Sequence, residues 1–143
     1  MVTTDQLRAL FPDDAELEVY APPSPIDQRD ILLGGELKRW TGATVPVRSA
    51  ICVRKPDGAL EQISLGSHPT TGIPEAMEAL AAAVEAYDDG RGEWPTMAVA
   101  QRIACMHEFT RLMIESRSTI IKLIMWEIGK SQTDSEKEFD RTV

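Results

Sequence analysis

The residue types that could do chemistry are two cysteines, two histidines, a run of acidic residues near the carboxyl end and an arginine that follows them. Cys105 and His107 are two positions apart in a helical pattern, which places their side chains about 200° apart around the helix axis. One metal ion cannot bind both, and we expect no metal site. Cys52 lies between Ile51 and Val53 in a strand pattern, with no neighbouring base or helix start to activate its thiol. We therefore expect no catalytic residue in this chain.

The arginine, Arg141, is the side chain whose type and position leave a binding role open. The acidic residues before it, at 134–140, have the spacing of a helix surface and lack the alternating ligands of a calcium loop. The guanidinium of Arg141 either pairs with an acidic neighbour such as Glu138 or Glu136, or points into a cleft and binds an anion. The residue types alone leave both alternatives open.

The glycines do not form a nucleotide site. The sequence contains no Gly-x-Gly-x-x-Gly turn between a strand and a helix, and no phosphate-binding loop with its lysine. We therefore expect no cofactor-binding residue in this chain.

The elements that must position Arg141 are a helix end and a new helix. The apolar run before Gly129 ends at the residue type best suited to the left-handed turn after a helix. Thr133 and Glu136 have the spacing of a capping box, which predicts a new helix starting just after Thr133. Phe139 and Val143 lie one turn apart on a predicted buried stripe, and the sequence stops there without a helix end. We therefore expect the sequence to be the front part of a longer protein, truncated within a helix.

The rest of the chain is typical of an α+β segment, with a short strand and hairpin region followed by about four helices. Residues 1–33 contain one short helical pattern and a proline-rich extended stretch, and we expect them to pack weakly or to decorate the surface. Partly alternating apolar residues on either side of a turn at 56–58 predict a β-hairpin, and Trp40 and Pro46 indicate that the earlier strands are short or lie at a sheet edge. Apolar residues spaced three and four apart predict helices at 74–87, from about 96 to 114, from 116 or 118 to 128, and after 133. They make one apolar face on the first of these helices and an inward-facing stripe on the second.

Composition limits the partners of the chain. Its 143 residues carry a formal net charge of −8, which opposes binding to a phosphate backbone. No basic and apolar leader opens the chain, and the longest nearly apolar run, at 120–128, is far shorter than the ~20 residues of a membrane span. We expect a cytoplasmic protein with neither nucleic acid nor a membrane as its partner.

Several short sequences together resemble the amino-terminal region of the aldehyde dehydrogenase superfamily. They appear in the family's order and with its spacing: Gly34-Gly35-Glu36-Leu37, the turn at 56–58, the helix at 74–87, Trp94-Pro95 and Glu127-Ile128-Gly129-Lys130. The resemblance covers residues 34–143, so it implies an amino-terminal extension at 1–33 and the first part of an aldehyde dehydrogenase domain at 34–143. It also implies that the segment is part of a larger α/β fold.

Within the superfamily, the segments 125–131 and 138–143 look most like NADP-dependent, non-phosphorylating glyceraldehyde-3-phosphate dehydrogenases. In those enzymes an arginine before a threonine contacts the substrate phosphate, and Arg141-Thr142 matches that place. The resemblance implies that a homo-oligomer oxidises glyceraldehyde 3-phosphate or a similar anionic aldehyde with NADP. The family's cysteine nucleophile and cofactor turns lie outside this segment, so we expect the chain to be inactive alone.

The alternative is a helical interaction module without catalytic activity. On this hypothesis an amphipathic helical hairpin presents three methionines, Met106, Met113 and Met125, to a partner protein.

Overall fold

The computed structural model describes residues 3–143, which form two compact units. The first unit comprises residues 3–27, 46–67 and 116–143, and the second comprises residues 28–45 and 68–115. The elements in chain order are α1 (Thr4–Arg8), α2 (Asp14–Val19), β1 (Ile26–Asp27), β2 (Asp30–Leu33), β3 (Glu36–Arg39), β4 (Thr44–Arg54), β5 (Leu60–Pro69), α3 (Ile73–Tyr87), α4 (Glu93–Thr96), α5 (Val99–Glu115), α6 (Arg117–Leu123) and α7 (Gln132–Thr142). The α+β prediction is confirmed.

A three-stranded sheet in the order β1-β5-β4 is the base of the first unit. The turn between β4 and β5 contains Gly58 with a φ of 80°, as the hairpin pattern predicts. Pro46 lies in β4, which is an edge strand of this sheet. An edge strand tolerates proline, because it has no second neighbour that would need the missing amide hydrogen. Strand β1 pairs in parallel with β5, with Ile26 opposite Gly66.

The core of the first unit combines the sheet with the helical turn Ile124–Ile128 that follows α6. Val53, Leu65 and Trp126 are buried there, at 1%, 3% and 2% exposure. Five partly buried side chains pack against them: Leu17, Val47, Ile51, Ile63 and Met125. The core residues of the two strands share one face of the sheet, because they lie at alternate positions: Val47, Ile51 and Val53 of β4, and Ile63 and Leu65 of β5.

The beginning of the chain packs more closely than the sequence predicts. Leu17 of α2 contacts the core, and the amide of Arg54 donates to the carbonyl of Pro12 at 2.8 Å. Asp13 caps α2 with its side chain and also pairs with the Arg54 guanidinium at 3.1 Å. The expectation that residues 1–33 pack weakly or decorate the surface is wrong for residues 12–17, because one apolar and one charged side chain attach them to the sheet. Residues 1 and 2 lie outside the described part of the chain. A domain boundary at residue 33 stays a prediction.

The helix that carries Arg141 follows a glycine stop, as predicted. After α6 the chain makes one π-helical turn, Ile124–Ile128, and Gly129 then adopts a left-handed conformation with a φ of 79°. The capping residue of α7 is Ser131, whose hydroxyl accepts a hydrogen bond from the amide of Asp134 at 3.2 Å. The prediction that Thr133 caps this helix is wrong, because Ser131 has the extended backbone of a cap and Thr133 already lies inside the helix.

The second unit contains the β2–β3 hairpin and the helices α3, α4 and α5. Gly34 and Gly35 form the hairpin turn with φ values of 61° and 82°. Lys38 of β3 forms an ion pair with Glu78 of α3 at 2.8 Å. The long helix starts at Val99 rather than near residue 96, because Met97 has an extended backbone that ends α4.

The apolar stripes of α3 and α5 differ from their prediction. The pattern predicts one apolar face on α3 and an inward-facing stripe on α5, yet no residue of either helix is buried within residues 3–143. Val84 of α3 is 63% exposed and Met106 of α5 is 53% exposed. Helical spacing sets which side chains share a face, but burial also needs a surface to cover that face.

No helix among residues 3–143 combines the length and the apolar character needed to cross a membrane.

Candidate functional site

Helix α7 positions Arg141 by burying the opposite side of the helix. Ser135 and Phe139, one turn apart, are 0% and 2% exposed. The prediction of a buried stripe is thus confirmed at Phe139, whereas Val143 is 41% exposed because it follows the last helical residue. Residues 134, 137, 138 and 141 recur at three and four positions on the other side of α7. Arg141 therefore projects from the exposed face of a helix whose buried face is fixed.

An open groove of about 630 Å³ lies along this exposed face. Its lining is entirely charged: Lys130, Asp134, Lys137, Glu138, Asp140 and Arg141. Lys130 pairs with Glu138, and Lys137 lies 3.9 Å from Asp134. The groove can therefore hold a small polar ligand, and two of its carboxylates are already matched by lysines.

Arg141 has no acidic partner among residues 3–143. Glu138 accepts from Lys130, and Glu136 accepts a hydrogen bond from the side chain of Gln132 at 3.0 Å. These are the two carboxylates that the sequence offers as alternatives to an external anion. Since both are engaged elsewhere, the exposed guanidinium of Arg141 is available to a ligand.

Arg117 of α6 holds the last turn of α7. Its Nε and Nη2 atoms donate to the two carboxylate oxygens of Asp140, each at 2.9 Å. The guanidinium also lies over the ring of Phe139, 5.8 Å from its centroid. The paired hydrogen bonds raise the pKa of Arg117 and lower the pKa of Asp140, because each group stabilises the charged form of the other. Arg117 thus fixes the helix turn that precedes Arg141.

Acidification is expected to weaken the attachment of α7 to α6. Hydrogen bonds from Arg117 hold the pKa of Asp140 below its ordinary value of 3.8, so the unfolded state binds this proton more readily than the folded state. The stabilisation is complete above the ordinary value and disappears as the pH falls through the lowered pKa. Urea unfolding from about pH 5 to about pH 2 should show a steeper loss of stability in the native chain than in Arg117→Gln. Equal slopes would contradict this linkage.

The other residues with reactive side chains do not converge. Cys52 is half-buried in β4, and Cys105 is exposed on α5. Nδ1 of His68 lies 3.1 Å from the carbonyl oxygen of Pro69. Among residues 3–143 no three His, Cys, Asp or Glu side chains are arranged to hold a metal ion.

Sequence patterns do not predict the partnership of Arg117 with Asp140. The two residues are 23 positions apart on different helices, and spacing rules for helix pairs reach only three or four positions. The bidentate pair depends on how α6 and α7 pack.

The chain matches the family described as "Aldehyde dehydrogenase family" over residues 48–143. It belongs to the aldehyde dehydrogenase family, as the resemblance in its sequence implies. Over 111 residues it is 30% identical to "Succinate-semialdehyde dehydrogenase, mitochondrial" of Rattus norvegicus. That alignment covers 76% of this chain and 18% of the rat protein, so the chain spans less than a fifth of the length of this relative. No solved structure matches the chain.

Proposed function

We propose that this chain is the amino-terminal part of an oxidoreductase that oxidises an aldehyde bearing an anionic group, and that Arg141 binds this group. The observation that carries the proposal is the free guanidinium of Arg141 in a groove whose neighbouring carboxylates are engaged. Family membership supports the aldehyde chemistry.

The substrate class is defined by what a guanidinium recognises. Its planar donors bind a carboxylate or a phosphate through two parallel hydrogen bonds. The name of the rat relative supports an aldehyde with a distant carboxylate, such as a semialdehyde. The sequence resemblance to glyceraldehyde-3-phosphate dehydrogenases favours a phosphorylated aldehyde instead. In both substrates the anionic group is distant from the reacting carbonyl. Arg141 would bind this group and so orient the substrate.

The oxidant of the whole enzyme in this proposal is NADP, but the described residues do not fit a NADP site. The Gly-x-Gly sequence at 90–92 leads into α4, and Asp88, Asp89 and Glu93 surround it. These carboxylates repel a pyrophosphate. We therefore assign cofactor binding to other parts of the whole enzyme, which in this proposal is a cytoplasmic homo-oligomer. We expect no turnover by the 143-residue chain alone.

The alternative of a methionine-based interaction module is not favoured. Met106 is exposed on α5, but Met125 packs against the core formed around Trp126. The three methionines therefore do not form one surface that is free for a partner.

Removing the charge of Arg141 is expected to weaken anion binding about ten-fold or more, because a hydrogen bond to a charged group contributes about 1.5–3 kcal/mol. The 143-residue chain and its Arg141→Gln variant would be titrated separately with succinate and with inorganic phosphate. Amide chemical-shift changes in NMR spectra would give the affinities and show whether the shifts cluster on α7. Tighter binding of succinate would support a carboxylated substrate, and tighter binding of phosphate a phosphorylated one.

Arg48 offers a matched control. It is an exposed arginine on β4, and Arg48→Gln removes the same charge from the same unit at a distance in sequence from α7. Succinate and phosphate should bind this variant as they bind the native chain. Equal losses of affinity in both variants would show that the loss comes from the changed net charge of the chain. That result would overturn the proposed role of Arg141.

A further inference from the structure

The groove along α7 is nearly balanced in charge. It is lined by three basic residues, Lys130, Lys137 and Arg141, and by the three acidic residues Asp134, Glu138 and Asp140. If only these six residues counted, the groove would have no net charge and no preference for an anion.

A basic residue outside the lining changes this balance. Arg117 lies on α6 and takes both carboxylate oxygens of Asp140 at 2.9 Å. Lys130 and Lys137 match the other two carboxylates of the groove. Each acidic residue of the groove therefore has its own basic partner, and the charge of Arg141 is the one left over among the lining residues.

We propose that Arg117 gives this groove its affinity for anions by neutralising Asp140. This inference rests on the proposed role of Arg141 and names the residue that makes the groove selective. Asp140 and Arg141 line the same groove, so the carboxylate of Asp140 repels an anion held there by Arg141. Arg117 cancels that repulsion without occupying the place where the ligand binds.

The lowered pKa of Asp140 is consistent with this arrangement. At neutral pH the carboxylate carries a full negative charge, so it needs a counter-charge whenever an anion binds beside it. The guanidinium of Arg117 also lies over the Phe139 ring, an attraction that adds to its pairing with Asp140.

The test is a double-mutant cycle on succinate binding to the 143-residue chain. Binding is measured by NMR at low ionic strength. Arg117→Gln should weaken binding about three- to ten-fold, because it leaves the charge of Asp140 uncompensated. Asp140→Asn alone should strengthen binding, because Arg117 then adds its own positive charge. The double variant should bind within about two-fold of the native chain. The opposite signs of the two single variants distinguish charge compensation from a structural role.

Arg111→Gln provides the control for a lost surface arginine. Arg111 pairs with Glu108 and Glu115 on α5, in an exposed arrangement similar to that of Arg117 with Asp140. This variant should leave succinate binding unchanged. A comparable loss of affinity in it would overturn the assignment to Arg117.

The remaining outcomes separate the inference from the proposed function. If Arg141→Gln abolishes binding but Arg117→Gln does not change it, the inference is overturned and the role of Arg141 stands. If the double variant stays as weak as Arg117→Gln, then Arg117 does not act through the charge of Asp140, and the inference is again overturned. If the native chain binds neither succinate nor phosphate, the proposed function fails and the inference fails with it.

Discussion

Replacing Trp126 with alanine is expected to lower the free energy of unfolding by about 3–5 kcal/mol. Trp126 is 2% exposed and forms the centre of the core with Val53 and Leu65. Its removal deletes the largest side chain of that cluster and leaves a cavity that the sheet and the adjacent helical turn can fill only in part. Since domains of this size are stable by about 5–15 kcal/mol, most of the folded population could be lost at moderate urea concentrations.

Urea unfolding followed by circular dichroism measures this effect, with two variants for comparison. Trp94→Ala removes the same side chain from a position that is 49% exposed, so it should cost far less. Trp126→Phe keeps most of the buried volume and removes the indole Nε1, which has no hydrogen-bond partner in the described chain. Its cost should be below about 1.5 kcal/mol, because no hydrogen bond is lost. A loss in Trp126→Ala no larger than that in Trp94→Ala would contradict the assignment of the core.

Replacing Gly66 with alanine is expected to separate β1 from β5 and to cost about 2–4 kcal/mol. A Cβ atom at this position would lie 1.9 Å from the carbonyl oxygen of Ile26, which is closer than two non-bonded atoms can approach. The backbone φ of 125° adds strain, because side chains disfavour that conformation. Either β1 moves away or β5 distorts, and both remove the pairing between Ile26 and Gly66.

Gly58 separates the two causes in this prediction. It also has a positive φ, of 80°, but a Cβ atom there would meet no atom within 4 Å. Gly58→Ala should therefore cost only the conformational strain, about 1–2 kcal/mol. Urea unfolding gives the two free energies, and hydrogen exchange of the residue 26 and 27 amides reports the detachment of β1. Equal free energies and unchanged exchange in both variants would show that close backbone contact does not matter at Gly66.

Sequence patterns predict the features of this fold that depend on neighbouring residues. The turn containing Gly58 and the helix stop at Gly129 both arise from the tolerance of glycine for positive φ, which is a local property. The alternation of apolar residues in β4 and β5 likewise predicts a sheet face. Phe139 marks the buried side of α7, and Arg141, two positions later, lies on the other side of the helix.

Other features depend on tertiary packing and could not be read from spacing. The parallel pairing of β1 with β5 brings together residues 40 positions apart, including the side chains of Asp27 and Ser67. Ser131 and Thr133 both carry a hydroxyl suited to a helix cap, and the path of the chain after Gly129 decides between them. The pair formed by Arg117 and Asp140 requires two helices to meet, so the charge balance of the groove appears only in the structure.

The exposed stripes of α3 and α5 have a consequence for the colloidal behaviour of the chain. Apolar surface attracts other apolar surface in water, whereas the formal charge of −8 makes separate copies repel each other. The repulsion extends over roughly 30 Å at 0.01 M salt and over only about 8 Å at physiological ionic strength. Dilute buffer therefore keeps the molecules apart, and added salt removes the barrier that opposes contact between their helices.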